Sequence, residues 1–373
     1  MKALIISNIA KTFTSFTYNM SDPLQELGFD DIHIACNFNT FKGNLKDSPF
    51  SIHHIDFNRN PFHPGNIKAF MQLYRVMKKE KFDLVHCNTP IGGILGRLCA
   101  DLAKVPTIVY TAHGFHFYKG APFVNRTLYK SVEKYLAKKT DAIITMNNED
   151  FDSAQYFKLR YRRQNYFFVN GVGIDINKFI NLEVNREDKR KELGLNSDDI
   201  MLIAMGDLIK RKNYQASIRA IAKAGNPNLH FFICGDGPLK DELINLAQEL
   251  NVKNQVHVLG FRSDIGELLK CSDIFLFTSY QEGLPRSLME AMSIGLPCVC
   301  SNIRGNIELI DDGIGGYLLQ PDNIDGFSEA INELSSNKDL RTTMGKSNLD
   351  KVNFYSIDYV KKQMRVIYKE IIG

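Results

Sequence analysis

The sequence predicts two doubly wound, Rossmann-like α/β domains in tandem, each a parallel sheet between layers of helices. Three observations carry this. At 373 residues the chain is too long for one ordinary core and suits two domains of roughly 150 to 200 residues. Short runs rich in Ile and Val alternate with stretches of period near 3.6, the pattern of parallel strands joined by crossover helices. After residues 171–179 and a polar stretch at 181–199, the rhythm starts again.

In the first half the strand-like runs are 3–6, 32–35, 84–86, 107–110, 142–145 and 167–169, with helical stretches at 67–79, 94–103 and 129–137. In the second half they are 201–205, 230–234, 256–259, 274–277 and 297–300, with helical stretches at 215–224, 239–250 and 327–334. The expected domains are therefore 1–172 and 173–354. A last helix at 355–373, apolar at helical spacing, is expected to pack back on the first domain. In such sheets ligands bind beyond the carboxyl ends of the strands, so two facing domains make a cleft and the chemistry belongs in loops that follow strands.

Composition narrows the class. Hydrophobic residues at 44% and charged residues at 24% are those of a soluble globular chain rather than a fibre, a disordered segment or a disulfide scaffold. The seven cysteines, at 36, 87, 99, 234, 271, 298 and 300, lack paired metal spacing and read as core thiols in a reducing compartment. The N-terminal apolar stretch is too short for a signal peptide or a membrane span and reads as a buried first strand. The expected location is the cytoplasm, at the inner face of the cell membrane. Residues 1–175 carry 22 Lys and Arg against 15 Asp and Glu, and the remainder 24 against 27, so the first half is the basic one. Its cluster of Lys158, Arg160, Arg162 and Arg163 is a candidate contact for an anionic membrane.

Several phosphate-loop patterns fail. The pairs Gly171/Gly173, Gly235/Gly237 and Gly313/Gly315 each lack the third glycine of a dinucleotide fingerprint, which is replaced by Ile176, Lys240 and Leu318. Gly345, Lys346 and Ser347 lack the leading glycine of a P-loop, since Leu340 stands there. The strongest segment is 275–292. There a buried strand runs into a polar loop and then into a helix starting near Pro285, whose free N–H groups suit an anion. Glu282 lies in the loop and Glu290 in the helix, placed to flank a diphosphate.

Glu282 and Glu290, with seven residues between them, resemble the E-x7-E signature of retaining, group 1 (family 4-like) glycosyltransferases of the GT-B fold, such as those of bacterial capsule and exopolysaccharide synthesis. Other motifs fall in that family's order: 111–117 at a strand end, 169–175 at the domain junction, 206–212, 234–238 and 259–261. The resemblance implies a nucleotide-sugar donor, UDP-linked, held by the second domain, and a saccharide or lipid-linked saccharide acceptor on the first. It implies that Glu282 binds donor-sugar hydroxyls, Glu290 the ribose, the N–H groups of Gly283 and Leu284 the phosphate, and Lys212 with Arg211 the departing diphosphate. Gly260 and Arg262 lie where relatives hold the nucleobase. His113 would serve the donor sugar, while Thr89, Gly92, Gly93 and His116 are acceptor-side candidates.

The chain departs from the pattern at Asp207, where many relatives carry Arg; Arg211 is the replacement available. No DxD-like motif follows a strand, so no metal and no cofactor are expected. Replacing Glu282 by Gln is expected to cut turnover by roughly 10² or more and leave folding intact. Two other readings stay open. One is a sugar-nucleotide epimerase or another GT-B enzyme, although no motif points to the pyridoxal lysine of a phosphorylase. The other is a nucleic-acid-binding protein using the basic half. No known module interleaves aromatic and basic residues here, so a nucleic-acid partner is not expected.

Overall fold

Seven parallel strands form the first sheet: β1 Lys2–Ile9, β2 Asp31–Asn37, β3 Ser51–His54, β4 Leu84–Asn88, β5 Thr107–Ala112, β6 Ala142–Thr145 and β7 Tyr166–Phe168, in the order β3-β2-β1-β4-β5-β6-β7. They come from a computed structural model that describes residues 1–162 and 164–373. The central strands are buried on both faces, which is why they read as unbroken Ile and Val runs rather than alternating ones. Helices Gly65–Glu80, Pro90–Ala103, Lys130–Ala137 and Asn148–Gln155 cover one face, and Ser15–Glu26 with Ile357–Ile372 the other.

The second sheet has six parallel strands: β8 Ile200–Met205, β9 Leu229–Cys234, β10 Val256–Gly260, β11 Ile274–Phe277, β12 Cys298–Ser301 and β13 Gly316–Leu319, in the order β10-β9-β8-β11-β12-β13. It is also cored on both faces. The described residues thus divide into Met1–Gly173 with Ile357–Gly373, and Ile174–Ser356. In each sheet the strand order reverses direction once, between β1 and β4 and between β8 and β11, and loops diverge there to leave room for a ligand.

The last helix is fixed to the first unit by Val360, Met364, Ile367, Tyr368 and Ile371, all buried, and by the ion pair Lys361–Asp22. Tyr368 hydrogen-bonds the imidazole of His86 inside β4. The polar stretch at 181–199 is not a bare linker: it holds the helix Arg186–Glu192, whose Arg186 and Arg190 reach Asp273 at 2.6 and 3.0 Å. Gly345, Lys346 and Ser347 lie within the helix Lys338–Val352 and form no phosphate loop. All seven cysteines are buried free thiols. Among the described residues no helix is long and apolar enough to cross a membrane.

One expectation for the surface changes. Arg160 does not face outward: it pairs with buried Asp141 at 3.2 Å and donates to the carbonyls of Val105 and Pro106, just before the start of β5. Arg163 and the side chain of Arg162 lie outside the described residues.

Candidate functional site

In the second unit, the chain leaves β8 at Gly206 and makes a short turn, Lys210–Lys212, before the helix Tyr214–Ala224. The turn is tied to the loop after β11: Tyr280 N–H donates to the Arg211 carbonyl at 2.9 Å, and the Thr278 hydroxyl donates to the Asn213 carbonyl at 2.7 Å. That tie brings two cations onto one carboxylate. Lys212 Nζ lies 2.9 Å from Glu282 Oε1, and Arg211 Nη1 lies 2.8 Å from the same oxygen. Both hydrogen bonds go to Oε1 rather than Oε2. Lys212 is buried and its ammonium lies 4.7 Å from the centroid of Phe277, so it is not the solvated loop lysine its neighbours suggest. Asp207 is exposed and Arg211 occupies the place beside Lys212.

Beyond Glu282, the chain turns through Gly283 and Leu284, and the helix Arg286–Ile294 begins directly after Pro285. The Gly283 and Leu284 N–H groups donate to no other described residue, so a helix N-terminus with free donors stands beside two cations. Glu290 is held on this helix by Arg286, at 3.0 Å and one turn away. Gly260 ends β10, its carbonyl accepting from Gly235 N–H at 2.8 Å. Arg262 Nε and Nη2 donate to Asp264, at 2.8 and 2.5 Å, so part of its guanidinium is engaged within the chain. Among the described residues, no group of three or more His, Cys, Asp or Glu is arranged as a metal site.

In the first unit the carboxyl ends of β1, β4 and β5 converge. Thr89 sits at φ 64°, ψ 159°, a conformation costly for a β-branched residue. It is held there because its hydroxyl accepts from Asn8 N–H at 3.0 Å and donates to Asn8 Oδ1 at 2.9 Å. Asn8 Oδ1 also accepts from Gly92 N–H at 2.6 Å, and Gly93 packs so closely that a Cβ there would meet the Tyr110 ring at 2.5 Å. Asn8, Thr89 and Tyr110 line a cavity of about 450 Å³ together with Phe115, His116, Phe117, Tyr129 and Glu133, whereas Gly92 and Gly93 are buried in the helix and form no part of its wall. His116 is exposed at its edge, its ring against Tyr129. His113 faces elsewhere, into a small pocket with Phe16 and Asn88, its Nε2 3.3 Å from Asn88 Oδ1. Burial pushes the His113 imidazole down to about 4, so it is neutral at pH 7.

Sequence reasoning missed Asn8, Tyr110 and the pair behind the cavity, Arg97 and Glu133. Arg97 is fully buried, in bidentate contact with Glu133 at 2.8 and 3.1 Å, and stacked 3.7 Å from the Tyr110 ring centroid. The signal was available: Arg97 is the lone cation inside an apolar helix, and a buried guanidinium requires a partner.

Comparison with known proteins agrees in the two halves. The family model described as "Glycosyl transferases group 1" matches residues 185–350, and that described as "Glycosyl transferase 4-like" matches residues 3–147. Over 372 residues, 98% of this chain and 96% of the relative, the chain is 32% identical to a Bacillus subtilis (strain 168) protein named as the glycosyltransferase EpsD. It is 35% identical over 314 residues, 82% of this chain and 80% of the relative, to the Escherichia coli UDP-Gal:alpha-D-GlcNAc-diphosphoundecaprenol alpha-1,3-galactosyltransferase. The crystal structure of Anabaena Alr3699/HepE in complex with UDP superposes with a TM-score of 0.81 at 19% identity, covering 99% of this chain and all of that one. This last likeness is one of fold.

Proposed function

Since the chain belongs to the group 1 glycosyltransferases, we propose that it moves a sugar, with retention of configuration, from a UDP-sugar to a saccharide or lipid-linked saccharide acceptor in surface polysaccharide synthesis. The observation that carries the donor side is the convergence of Lys212, Arg211 and Glu282 beside the start of the helix Arg286–Ile294, at the point where the second sheet reverses its order. A diphosphate matches two cations and a row of free N–H groups. Glu282, through Oε2, accepts from hydroxyls of the donor sugar. Glu290 takes the ribose, and the Gly260–Arg262 turn borders the base. Two relatives support the nucleotide and the acceptor class: one is named for UDP-galactose and a diphosphoundecaprenol acceptor, and the other is seen with UDP.

In the proposed reaction the acceptor oxygen bonds to the anomeric carbon on the face from which the β-phosphate oxygen departs. The acceptor proton passes to that phosphate oxygen. Lys212 and Arg211 stabilise the charge that grows there as the glycosidic bond breaks. His113, neutral at pH 7, offers a hydrogen bond to the donor sugar without competing for the phosphate charge. Thr89, Gly92, Gly93 and His116 shape the acceptor side, and no metal takes part. The membrane, where a lipid-linked acceptor resides, is the proposed place of work, at its inner face.

A panel of UDP- and GDP-sugars, scored by protection against thermal unfolding, identifies the donor. The proposal expects one UDP-sugar to raise the melting temperature with EDTA present. Its product should carry the donor's anomeric configuration by proton NMR. Inversion, or protection that needs magnesium or manganese, would overturn the mechanism.

A further inference from the structure

The segment from Tyr118 to Thr140 carries six cations, Lys119, Arg126, Lys130, Lys134, Lys138 and Lys139, and a single acid, Glu133. That acid is turned inward to Arg97. The backbone is helical from residue 123 to 137, with a π-type turn at Asn125–Tyr129. On its inner side, Leu136 and Ala137 join the core of the first unit. On its outer side, Phe123 is 74% exposed, Val124 59%, Leu128 47% and Tyr135 55%.

Single exposed apolar residues are ordinary on a soluble surface. These four are not scattered: they recur four, five and seven residues apart, which stacks them along one helical face. Acids are missing from that face, although the first 175 residues carry 15 of them. An apolar stripe between lysines is the composition of a helix lying in a membrane interface, with rings and aliphatic chains in the acyl boundary and ammonium groups reaching anionic headgroups.

The cavity of about 450 Å³ adjoins this stripe. Tyr129 and Val132 of the helix line one part of its wall, and Arg59 and Pro61 line another. Phe62, the next residue, is 79% exposed, and on the following helix Ile67 is 70% exposed beside Lys68. Apolar and basic side chains therefore flank the cavity on both sides.

We propose that the helix at 123–137, with the loop at 59–62, is a docking surface for an anionic lipid bilayer. Phe123, Val124, Leu128 and Phe62 enter the interface, and Arg126, Lys130, Lys134 and Lys138 engage the headgroups. A lipid-linked acceptor then reaches the cavity from the bilayer without leaving it. That last step rests on the acceptor reading above; the docking itself does not.

The test is co-sedimentation of the full chain with phosphatidylcholine vesicles, with and without about one-third phosphatidylglycerol, across a salt series. Donor protection against unfolding is measured on the same samples. Expected is binding to the anionic vesicles that weakens with salt. Phe123→Ser with Leu128→Ser, and separately Lys130→Glu with Lys134→Glu, should each weaken it about tenfold or more. Lys253→Glu with Lys338→Glu, in the second unit, should leave it unchanged. All three double variants should keep donor protection, because none of the substituted side chains is buried and all lie outside the donor loops. Wild-type indifference to phosphatidylglycerol, or binding untouched by both first-unit variants, overturns the docking surface while intact donor protection leaves the transferase reading standing. A vesicle-free dimer that the Phe123 and Leu128 changes dissociate, with no vesicle binding, assigns the stripe to a second copy of the chain and also overturns it. Loss of wild-type donor protection with vesicle binding intact strikes the transferase reading instead.

Discussion

Glu282 pairs with two cations through one oxygen, and this changes what its replacement does. From the sequence alone, Glu282→Gln should cut turnover by roughly 10² or more and spare the fold. The structure adds a second role, because Lys212 is buried and Glu282 is its ionic partner. A neutral amide in that place leaves a buried ammonium undercompensated, so we expect the variant to lose about 1–3 kcal/mol of stability, read as a lower denaturation midpoint at unchanged slope. Bound UDP, which brings its own charge to Lys212, should recover part of the loss. A second residue was legible only as a strand residue. His86 lies wholly inside the first sheet, between Tyr368 and Thr111, with His113 close enough to add repulsion. Burial first, and His113 second, press its imidazole down to about 3. The unfolded chain takes up a proton near the ordinary imidazole value of about 6.5, and the folded chain does not until far lower pH. Stability present above that value is therefore lost as pH falls from about 6.5 toward 3. In His86→Gln the slope of unfolding free energy against pH over that window should be shallower by about one proton, and an unchanged slope would contradict this reading.

At the scale of elements, the buried strands were readable because parallel strands covered on both faces leave unbroken apolar runs. The elements that escaped are those that break this rule. β3 is an edge strand with Ser51 and His54 exposed, and its residues alternate too weakly to register. The helix Ser15–Glu26 has a proline inside it and a largely polar composition, so no apolar period marks it. In the site, the E-x7-E spacing was plain in the sequence, whereas the loop that supports it was not. Gly305, at φ 87°, lies against the Gly283 carbonyl, where a Cβ would come within 2.2 Å. Gly305→Ala must push the Glu282–Leu284 turn off the start of the helix. The expected result is a loss of about 1–3 kcal/mol in stability together with weakened protection by the donor, whereas a surface loop would show neither.

For the whole molecule, two Rossmann-like units were legible from length and from the restart of the strand rhythm, and the return of the last helix from its apolar spacing. What the sequence could not show is how deeply that helix is bound: Val360, Met364, Ile367, Tyr368 and Ile371 are buried in the first unit's core, and Tyr368 closes the hydrogen bond to His86. Burying each such side chain is worth roughly 1.5–3 kcal/mol. Deleting residues 357–373 should therefore lower the melting of the first unit by many degrees or abolish its folding. Donor-dependent protection of the second unit should survive, since its core includes none of those residues. The central claim is that a nucleotide sugar sits on Lys212 by its diphosphate and on Glu282 by its sugar. Titration calorimetry of UDP and of the UDP-sugar against wild type, Lys212→Met and Glu282→Gln addresses it directly. The account predicts that Lys212→Met weakens both ligands by roughly tenfold or more, while Glu282→Gln weakens the UDP-sugar alone and leaves UDP as tight or tighter. Equal affinity of all three proteins for both ligands would contradict it.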